Sequence, residues 1–233
     1  MTRAQVLDWL KAHAEPDYGI FAASLIPGVS DVLGVRLPVL RQLARQLAQQ
    51  GAQEALESIP ETPFEARMLR GYVIGYAKTD LVQRWKWVEA FLPVIDNWSI
   101  CDSFCATLAS RLTEEELRTI WPQIRMFAQS DAPFVARFAI VMMIDAYMRP
   151  EYIDCMLAVL SDVRCDAYYV RMAVAWALAT ALGEFAEQTR CFLGNSAIHP
   201  WVRQKMAQKA CESRRVSLED KQWVRTWAKK AHI

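Results

Sequence analysis

The stretch "PFVARFAIVM", Pro133 to Met142, decides the fold, because related stretches recur along the chain. The related blocks are "PFEARMLRGY", "NWSICDSFCA", "AYYVRMAVAW" and "HPWVRQKMAQ". Together they begin near residues 63, 98, 132, 166 and 198, so about 32 to 35 residues separate one start from the next. Each block reads as the first helix of a helix pair. A fixed period of this length is typical of stacked helical repeats.

The rest of the chain also carries helix signals, and no segment shows the alternation of apolar and polar residues that is typical of a strand. The segments "TPFE" (Thr62–Glu65) and "TEEE" (Thr113–Glu116) each match a capping box. Pro38 is expected to start the helix "LPVLRQLARQLAQQ", which Gly51 is expected to end. Further helices are predicted near 2–14, 80–94, 98–111, 114–129, 132–148, 150–161, 166–182, 185–193, 198–213 and 217–231. We therefore predict an all-α protein, a curved superhelical stack of HEAT-like two-helix repeats (an α-solenoid) that forms one domain over residues 1–233.

Composition predicts a soluble, cytoplasmic protein. With 53% apolar residues the chain can bury a sizeable core, yet its longest apolar runs, such as "FAIVMMI", are too short to cross a bilayer. The amino-terminal "MTRAQVLDWLKAHAEPD" lacks the apolar core of a signal peptide.

The cysteines predict neither a metal site nor a thiol catalyst. The six cysteines form no CxxC pair, and the chain has only three histidines. Cys101 and Cys105 lie one helical turn apart and could hold a metal, but no third ligand is nearby in sequence. Both are therefore expected to be buried small apolar residues, and no metal is expected.

The net charge of +1 is unevenly distributed. From residue 198 onward nine Lys and Arg residues stand against three Asp and Glu residues, which gives +6 there and −5 for the rest of the chain. Such asymmetry is expected of a protein that offers one end to a polyanion. A solvated, basic pair of helices explains it equally well, so charge alone leaves both interpretations open.

One position of the repeat carries charge in every block. The residues that share this position are Arg67, Asp102, Arg137, Arg171 and Arg203. A row of arginines on a concave face could grip a phosphate backbone, because each guanidinium is permanently charged and offers two donors. The alternative, more common for any single arginine, is that they bridge neighbouring repeats through Asp and Glu partners. Asp102 inverts the charge of the row under either interpretation.

Two tryptophans accompany the inverted position. Trp98 precedes Asp102 by one helical turn on the same face, and Trp176 follows Arg171 by five residues. Neighbouring arginines and the nearby helix amino terminus both favour the ionised form of Asp102. Any one of the nine tryptophans is more often a packing residue than a functional one.

The blocks "NWSICD", "PFVARFAIVMMIDAY" and "YYVRMAVAWALA", in this order and spacing, resemble the AlkD-like family of bacterial DNA alkylation repair proteins. These proteins are alkylpurine DNA glycosylases built from HEAT-like repeats. The blocks "LGVRLPVLRQLA", "FEARMLRGYVIG" and "AQKACESRRVSLEDK" are similar to further family blocks. The resemblance runs from about residue 17 to residue 230.

The resemblance implies a site and a reaction. Asp102 matches the family's catalytic aspartate, Trp98 and Trp176 match its two lesion-site tryptophans, and Arg137 matches the arginine beside them. Members remove cationic N3- and N7-alkylated purines without inserting them into a deep pocket. Because such a base leaves without protonation, one carboxylate suffices to stabilise the oxocarbenium ion of the sugar and to position water.

The chain departs from the family pattern at two positions that hold the DNA strand in active members. Members with established activity carry basic residues one and two turns beyond the second tryptophan, where this chain has Ala179 and Gly183. DNA contacts are therefore expected from other cations. The predicted DNA-binding residues are Arg137, Arg171, Arg203, Arg36, Lys209 and Arg215.

The sequence hypothesis is a monofunctional alkylpurine DNA N-glycosylase, acting as a monomer on double-stranded DNA without metal or cofactor. A nucleoid-associated location, no membrane and no obligate protein partner follow from that hypothesis. A lyase step is not expected, because no lysine lies near Trp98 and Asp102 in the sequence. Two alternatives stay open: a DNA-binding member of the same fold without catalysis, and a helical-repeat scaffold that binds protein.

Overall fold

The structure, a computed structural model, describes residues 1–229, and across these residues it is helical with no strand. The α-helices are α1 (Arg3–Ala12), α2 (Pro16–Ser24), α3 (Leu37–Ser58), α4 (Phe64–Tyr76), α5 (Leu81–Phe91), α6 (Trp98–Ala109), α7 (Glu114–Ala128), α8 (Pro133–Ala146), α9 (Ile153–Ser161), α10 (Tyr168–Glu184), α11 (Ala186–Asn195), α12 (Pro200–Glu212) and α13 (Leu218–Lys229). The all-α prediction is confirmed. Two compact units divide the chain, unit 1 up to Glu116 and unit 2 from Leu117 onward.

Two helices differ from the predictions at the amino-terminal end. Helix α2 was not predicted, because this short helix buries only Gly19 and so lacks a buried apolar stripe. The first segment of helix α3 ends at Gly51, as predicted, and a second helical segment that the sequence did not predict follows it to Ser58. Gly51 has a φ of 155°, so it introduces a kink into the helix that only a residue without Cβ accepts easily.

Unit 1 centres on α4, which packs against α3 on one side and α6 on the other. Eleven of its thirteen residues are buried. Two glycines let the neighbouring helix come close: a Cβ on Gly75 would lie 2.7 Å from Cγ2 of Thr107, and one on Gly71 would lie 3.4 Å from Cβ of Phe104. Because both contacts are with α6, these glycines set the position of the helix that carries Trp98.

The capping box predicted at Thr62–Glu65 is wrong, and the reason is a buried carboxylate. Helix α4 begins after Pro63 without a side-chain cap. Glu65 is 1% exposed, and its carboxylate accepts hydrogen bonds from three successive backbone N–H groups, those of residues 33 to 35, at 2.6 to 3.3 Å. The side chain therefore holds the loop before α3. The box at Thr113–Glu116 is confirmed, with both of its reciprocal hydrogen bonds present.

Unit 2 contains three successive first helices of the predicted pairs, α8, α10 and α12. Helix α10 packs against α8 and against α12, so the three lie side by side in chain order. Its sequence "YYVRMAVAWALATALGE" is apolar on almost every side, as expected for a central helix flanked on both faces. This order is what stacked helix pairs require. The curved superhelical form stays a prediction.

Candidate functional site

Trp98 and Asp102 lie at the start of α6, and a network of polar contacts fixes where that helix begins. The side chain of Asn97 caps the helix by accepting a hydrogen bond from the Ile100 N–H at 3.0 Å. The indole Nε1 of Trp98 donates to the carbonyl of Leu25 at 3.0 Å. Trp98 and Asp102, one turn apart, are both half-buried. The anionic position and its tryptophan thus lie on a partly exposed face of unit 1.

Arg67 ties together the two segments that contact this helix start. Its guanidinium makes two parallel hydrogen bonds to Asp31, each 2.9 Å long, and lies 3.5 Å from Asp96. Asp31 lies in the loop that leads away from Leu25, and Asp96 immediately precedes the capping residue. Although burial lowers the pKa of Arg67, the hydrogen bond to Asp31 and the charge of Asp96 raise it overall, so the cation is firmly retained.

The three arginines of unit 2 occupy the same repeat position and reach the next helix pair. Arg137 donates from Nη1 to the Tyr169 carbonyl at 2.7 Å, at the start of α10. The Arg171 guanidinium lies 5.1 Å from the centre of the Trp201 ring in α12. That of Arg203 lies 4.2 Å from the Trp227 ring in α13. The repeated arginine therefore links neighbouring helix pairs.

These contacts favour the bridging alternative over phosphate binding for two of the three arginines. Arg137 and Arg203 are only 4% and 6% exposed, and burial lowers the pKa of Arg203. Arg171 is half-buried and pairs with Asp166 at 3.2 Å. Their contacts include two aromatic rings and a carbonyl as well as the carboxylate of Asp166. Phosphate contacts by Arg137 and Arg203 stay a prediction that their burial disfavours.

A cleft of about 370 Å³ in unit 2 brings Trp176 together with two of the predicted cations. We call it the α10–α12 cleft. Helix α10 lines it with Trp176, Ala179, Thr180 and Gly183. Helix α12 and the loop after it contribute Lys209, Glu212, Ser213 and Arg215. The sequence analysis chose Lys209 and Arg215 from their charge, but it could not place them beside Trp176, because more than thirty residues separate them in the chain.

The small residues on α10 leave room for the basic side chains that approach the cleft from α12 and the loop after it. Gly183 faces Arg215, since a Cβ at residue 183 would lie 3.4 Å from Cβ of Arg215. Ala179 and Gly183 are the positions where the resemblance led us to expect basic side chains. Lys209 and Arg215 approach the same cleft from α12 and its following loop. The cleft therefore takes its positive charge from α12 and the loop after it, and not from positions 179 and 183 of α10.

The remaining predicted cation, Arg36, lies in unit 1 and is exposed. It pairs with Glu15 at 2.7 Å and lies 3.9 Å from the centre of the Tyr18 ring. Arg215 is similarly exposed and pairs with Glu184 at 2.9 Å. Exposed ion pairs of this kind contribute little to stability, so a phosphate can replace the carboxylate partner at small cost.

Trp176, like Trp98, is half-buried. The resemblance implies that Trp98, Asp102, Arg137 and Trp176 belong to one site, and this stays a prediction. Cys101 and Cys105 are buried in α6, as expected. Within residues 1–229 no group of three or more potential metal ligands is found, and no helix there is long and apolar enough to span a bilayer.

Comparison with known protein families gives a match. The family model described as DNA alkylation repair enzyme matches residues 6–212, which include the whole of α6 and of α10. A search of curated proteins gives no significant match. Because the family model covers most of the chain, this protein belongs to the DNA alkylation repair enzyme family.

Proposed function

We propose that this protein is a DNA glycosylase that hydrolyses the N-glycosidic bond of cationic N3- and N7-alkylated purines in double-stranded DNA. The observation that carries the proposal is the half-buried pair of Trp98 and Asp102 on α6. The other repeats carry arginines at the equivalent positions, whereas this repeat carries a carboxylate one helical turn from the half-buried Trp98. Membership of a DNA alkylation repair family supports DNA as the partner.

In this proposal Asp102 acts on the sugar. Alkylation at N3 or N7 already makes the purine a cationic leaving group, so no acid needs to protonate it. As the bond stretches, positive charge moves to the deoxyribose as an oxocarbenium ion. The carboxylate stabilises that charge and orients, or deprotonates, the attacking water. The Trp98 ring, held by its hydrogen bond to Leu25, holds the cationic nucleotide through its π face.

Unit 2 contributes the grip on the strand. Trp176 offers a second partly exposed indole, and Lys209 and Arg215 line the same cleft. A cleft with an aromatic wall and two cations suits a nucleotide whose phosphate carries negative charge. Arg36 of unit 1 is a further exposed cation for the backbone. Arg171, half-buried beside Trp201, is a weaker candidate.

The test is release of 7-methylguanine and 3-methyladenine from methylated duplex DNA by the full-length protein, with Asp102→Asn as the matched control. We expect release by the parent protein and a loss of about 10²–10³-fold in the variant. Equal release by both would refute the role of Asp102. No release by the parent, together with intact duplex binding, would instead identify a DNA binder without catalysis.

A further inference from the structure

Three arginines of unit 1 converge on two stacked tyrosines of α4. The Arg41 guanidinium lies 5.2 Å from the centre of the Tyr72 ring. The guanidiniums of Arg45 and Arg111 lie 4.9 Å and 5.2 Å from the centre of the Tyr76 ring, and the two ring centres are 6.4 Å apart. We call these five residues the Arg–Tyr cluster. Two of its arginines come from α3 and the third follows the end of α6, so only folding brings the three cations together.

The Arg–Tyr cluster concentrates positive charge without a carboxylate to balance it. Within residues 1–229 its three arginines form no ion pair, and Arg45 donates from Nη2 to the Tyr76 hydroxyl at 3.4 Å. Burial lowers the pKa of the nearby Arg84, and the charge of Arg111 lowers it further, against an opposing effect of Glu116. Cations that crowd together in this way repel one another and create a positive potential that attracts an anion.

Packing on aromatic rings does not by itself account for these arginines. In unit 2 Arg203 packs on a tryptophan but is nearly fully buried, and Arg171 packs on another but pairs with Asp166. Arg45 and Arg111, by contrast, are exposed, and neither has a carboxylate partner within residues 1–229. Their charged groups are therefore available to a ligand.

We propose that the Arg–Tyr cluster is a binding site for the DNA backbone, in which Arg45 and Arg111 bind phosphates of one strand. The inference rests on the proposed function, because DNA is the phosphate-bearing partner in it. A guanidinium stays charged and can donate two parallel hydrogen bonds to one phosphate. The Tyr76 ring keeps both guanidiniums near the surface through cation–π contact, and the half-buried Arg41 adds to the charge.

Helix α6 connects this site with the proposed catalytic carboxylate. Arg111 follows Asp102 by nine residues, and a helical segment of that length spans about 14 Å. Phosphates of one strand advance about 3.4 Å each along the duplex axis, so about four nucleotides cover the same distance. A short duplex can therefore contact both ends of α6.

The repeat relates the Arg–Tyr cluster to the α10–α12 cleft. Tyr72 and Trp176 each stand five residues after the repeated arginine of their helix, so the two aromatic residues share one position. A basic residue from a neighbouring helix accompanies each, Arg41 of α3 in unit 1 and Lys209 of α12 in unit 2. Each unit thus combines an aromatic residue with cations at equivalent places, as suits a backbone that runs along a repeat protein.

The experiment measures equilibrium binding of the full-length protein to an undamaged duplex over a series of salt concentrations, so base release is not involved. The compared proteins are the parent, Arg111→Gln, the double variant Arg45→Gln/Arg111→Gln and the control Arg3→Gln. Glutamine removes the charge and keeps a polar side chain. Arg3 is an exposed arginine of unit 1 that likewise forms no ion pair within residues 1–229, so the control removes the same charge outside the cluster.

We expect the dependence on the logarithm of salt concentration to become flatter by about one unit in Arg111→Gln and by about two in the double variant. Arg3→Gln should keep the dependence of the parent. The thermal midpoint of both cluster variants should hold or rise, because a repelling cation is removed. An unchanged salt dependence in the cluster variants, or equal flattening in Arg3→Gln, overturns the proposal. A lower midpoint with unchanged salt dependence would show that the cluster serves packing instead.

A second arm distinguishes a DNA backbone from a free nucleotide as the source of the phosphate. A nucleoside monophosphate is titrated into the parent and the double variant by calorimetry, and we expect it to bind the parent at least about 100-fold more weakly than the duplex does, because it offers a single phosphate. Equally tight binding that the double variant loses would overturn the proposal. Base release from methylated DNA is measured on the same proteins. Flatter salt dependence without release by the parent refutes the glycosylase alone, whereas release with unchanged salt dependence refutes the Arg–Tyr site alone.

Discussion

The two units use the same repeat position in different ways. In unit 1 Arg67 pairs with two carboxylates, Asp31 and Asp96, and the next occupant of the position is the carboxylate Asp102. In unit 2 the arginines contact aromatic rings and a carbonyl of the following helices, and Arg171 also pairs with the exposed Asp166. The arginine that recurs through the chain is therefore a packing device, and the position that departs from it is the one where function is expected.

This comparison distinguishes the residue proposed to act on the sugar, in unit 1, from the residues of unit 2 that are proposed to bind the DNA strand. Unit 1 holds its carboxylate on a helix whose start is fixed by Asn97 and by the Arg67 network. Unit 2 holds the half-buried Lys209 at the end of α12 and the exposed Arg215 in the loop after it. A charge that stabilises a transition state has to be preorganised, whereas a charge that contacts phosphate gains little from being fixed. The two arrangements match these two needs.

The largest effect is expected for Asp102→Asn, which tests the chemical half of the comparison. The substitution removes one negative charge at nearly constant volume. Base release should fall by about 10²–10³-fold, whereas duplex affinity should hold or rise because an anion no longer repels phosphate. Single-turnover release and equilibrium binding measured on the same preparation check this. A parallel fall in affinity would show that Asp102 supports the fold or the DNA contacts instead.

Arg67→Ala tests whether unit 1 depends on its carboxylate network. Removing the guanidinium leaves Asp31 and Asp96 without their cation. We expect a loss of about 3 kcal/mol in the free energy of unfolding, at the lower end for a broken buried pair because both carboxylates are partly exposed. Arg171→Ala is the matched control from unit 2. Its partner Asp166 is 70% exposed, so a loss of only about 1 kcal/mol is expected. Urea unfolding of both variants would contradict this account if the two losses were equal.

Much of the fold follows from sequence periodicity, and the failures have local causes. The repeat starts and the capping box at Thr113 were predictable because they depend on neighbours three to five residues away. The box at Thr62 failed because Glu65 makes better bonds to a loop some thirty residues away. A tertiary hydrogen bond of that kind leaves no local pattern in the sequence.

The sequence indicated which residue types the candidate site contains, but it did not indicate which residues from other helices lie beside them. Trp98 and Asp102 share a helix, so their spacing alone placed them on one face. Lys209 and Trp176 come from different helices, so only the packing of α10 against α12 brings them together. The burial of Arg137 and Arg203 was likewise invisible, because a permanently charged residue is ordinarily expected at the surface.

Gly183→Lys would sharpen the comparison by restoring a basic residue on α10. A Cβ at this position meets only ordinary contacts, at 3.4 Å from Arg215 and Val216, and the backbone needs no positive φ, so the helix should accept it. We expect duplex binding to tighten and its dependence on the logarithm of salt concentration to steepen by about one unit, as for one added phosphate contact. Gly194→Lys, on the exposed end of α11, is the control for added charge alone. If both variants steepened the salt dependence equally, the α10–α12 cleft would have no special role in DNA binding.

The smallest effect is expected for Arg215→Ala, and it tests the grip half of the comparison directly. Arg215 is exposed and its pair with Glu184 adds little stability, so the thermal midpoint should hardly change. If Arg215 contacts phosphate, the salt dependence of duplex binding should become flatter by about one unit. Arg203→Ala, from the helix that leads into the same loop, should behave in the opposite way. Because its guanidinium packs on Trp227 and is nearly fully buried, the variant should lose stability and keep the salt dependence of the parent. The opposite result would be a flatter salt dependence for Arg203→Ala and an unchanged one for Arg215→Ala. It would show that the buried arginines contact the DNA, so that packing and DNA-binding arginines could not be distinguished.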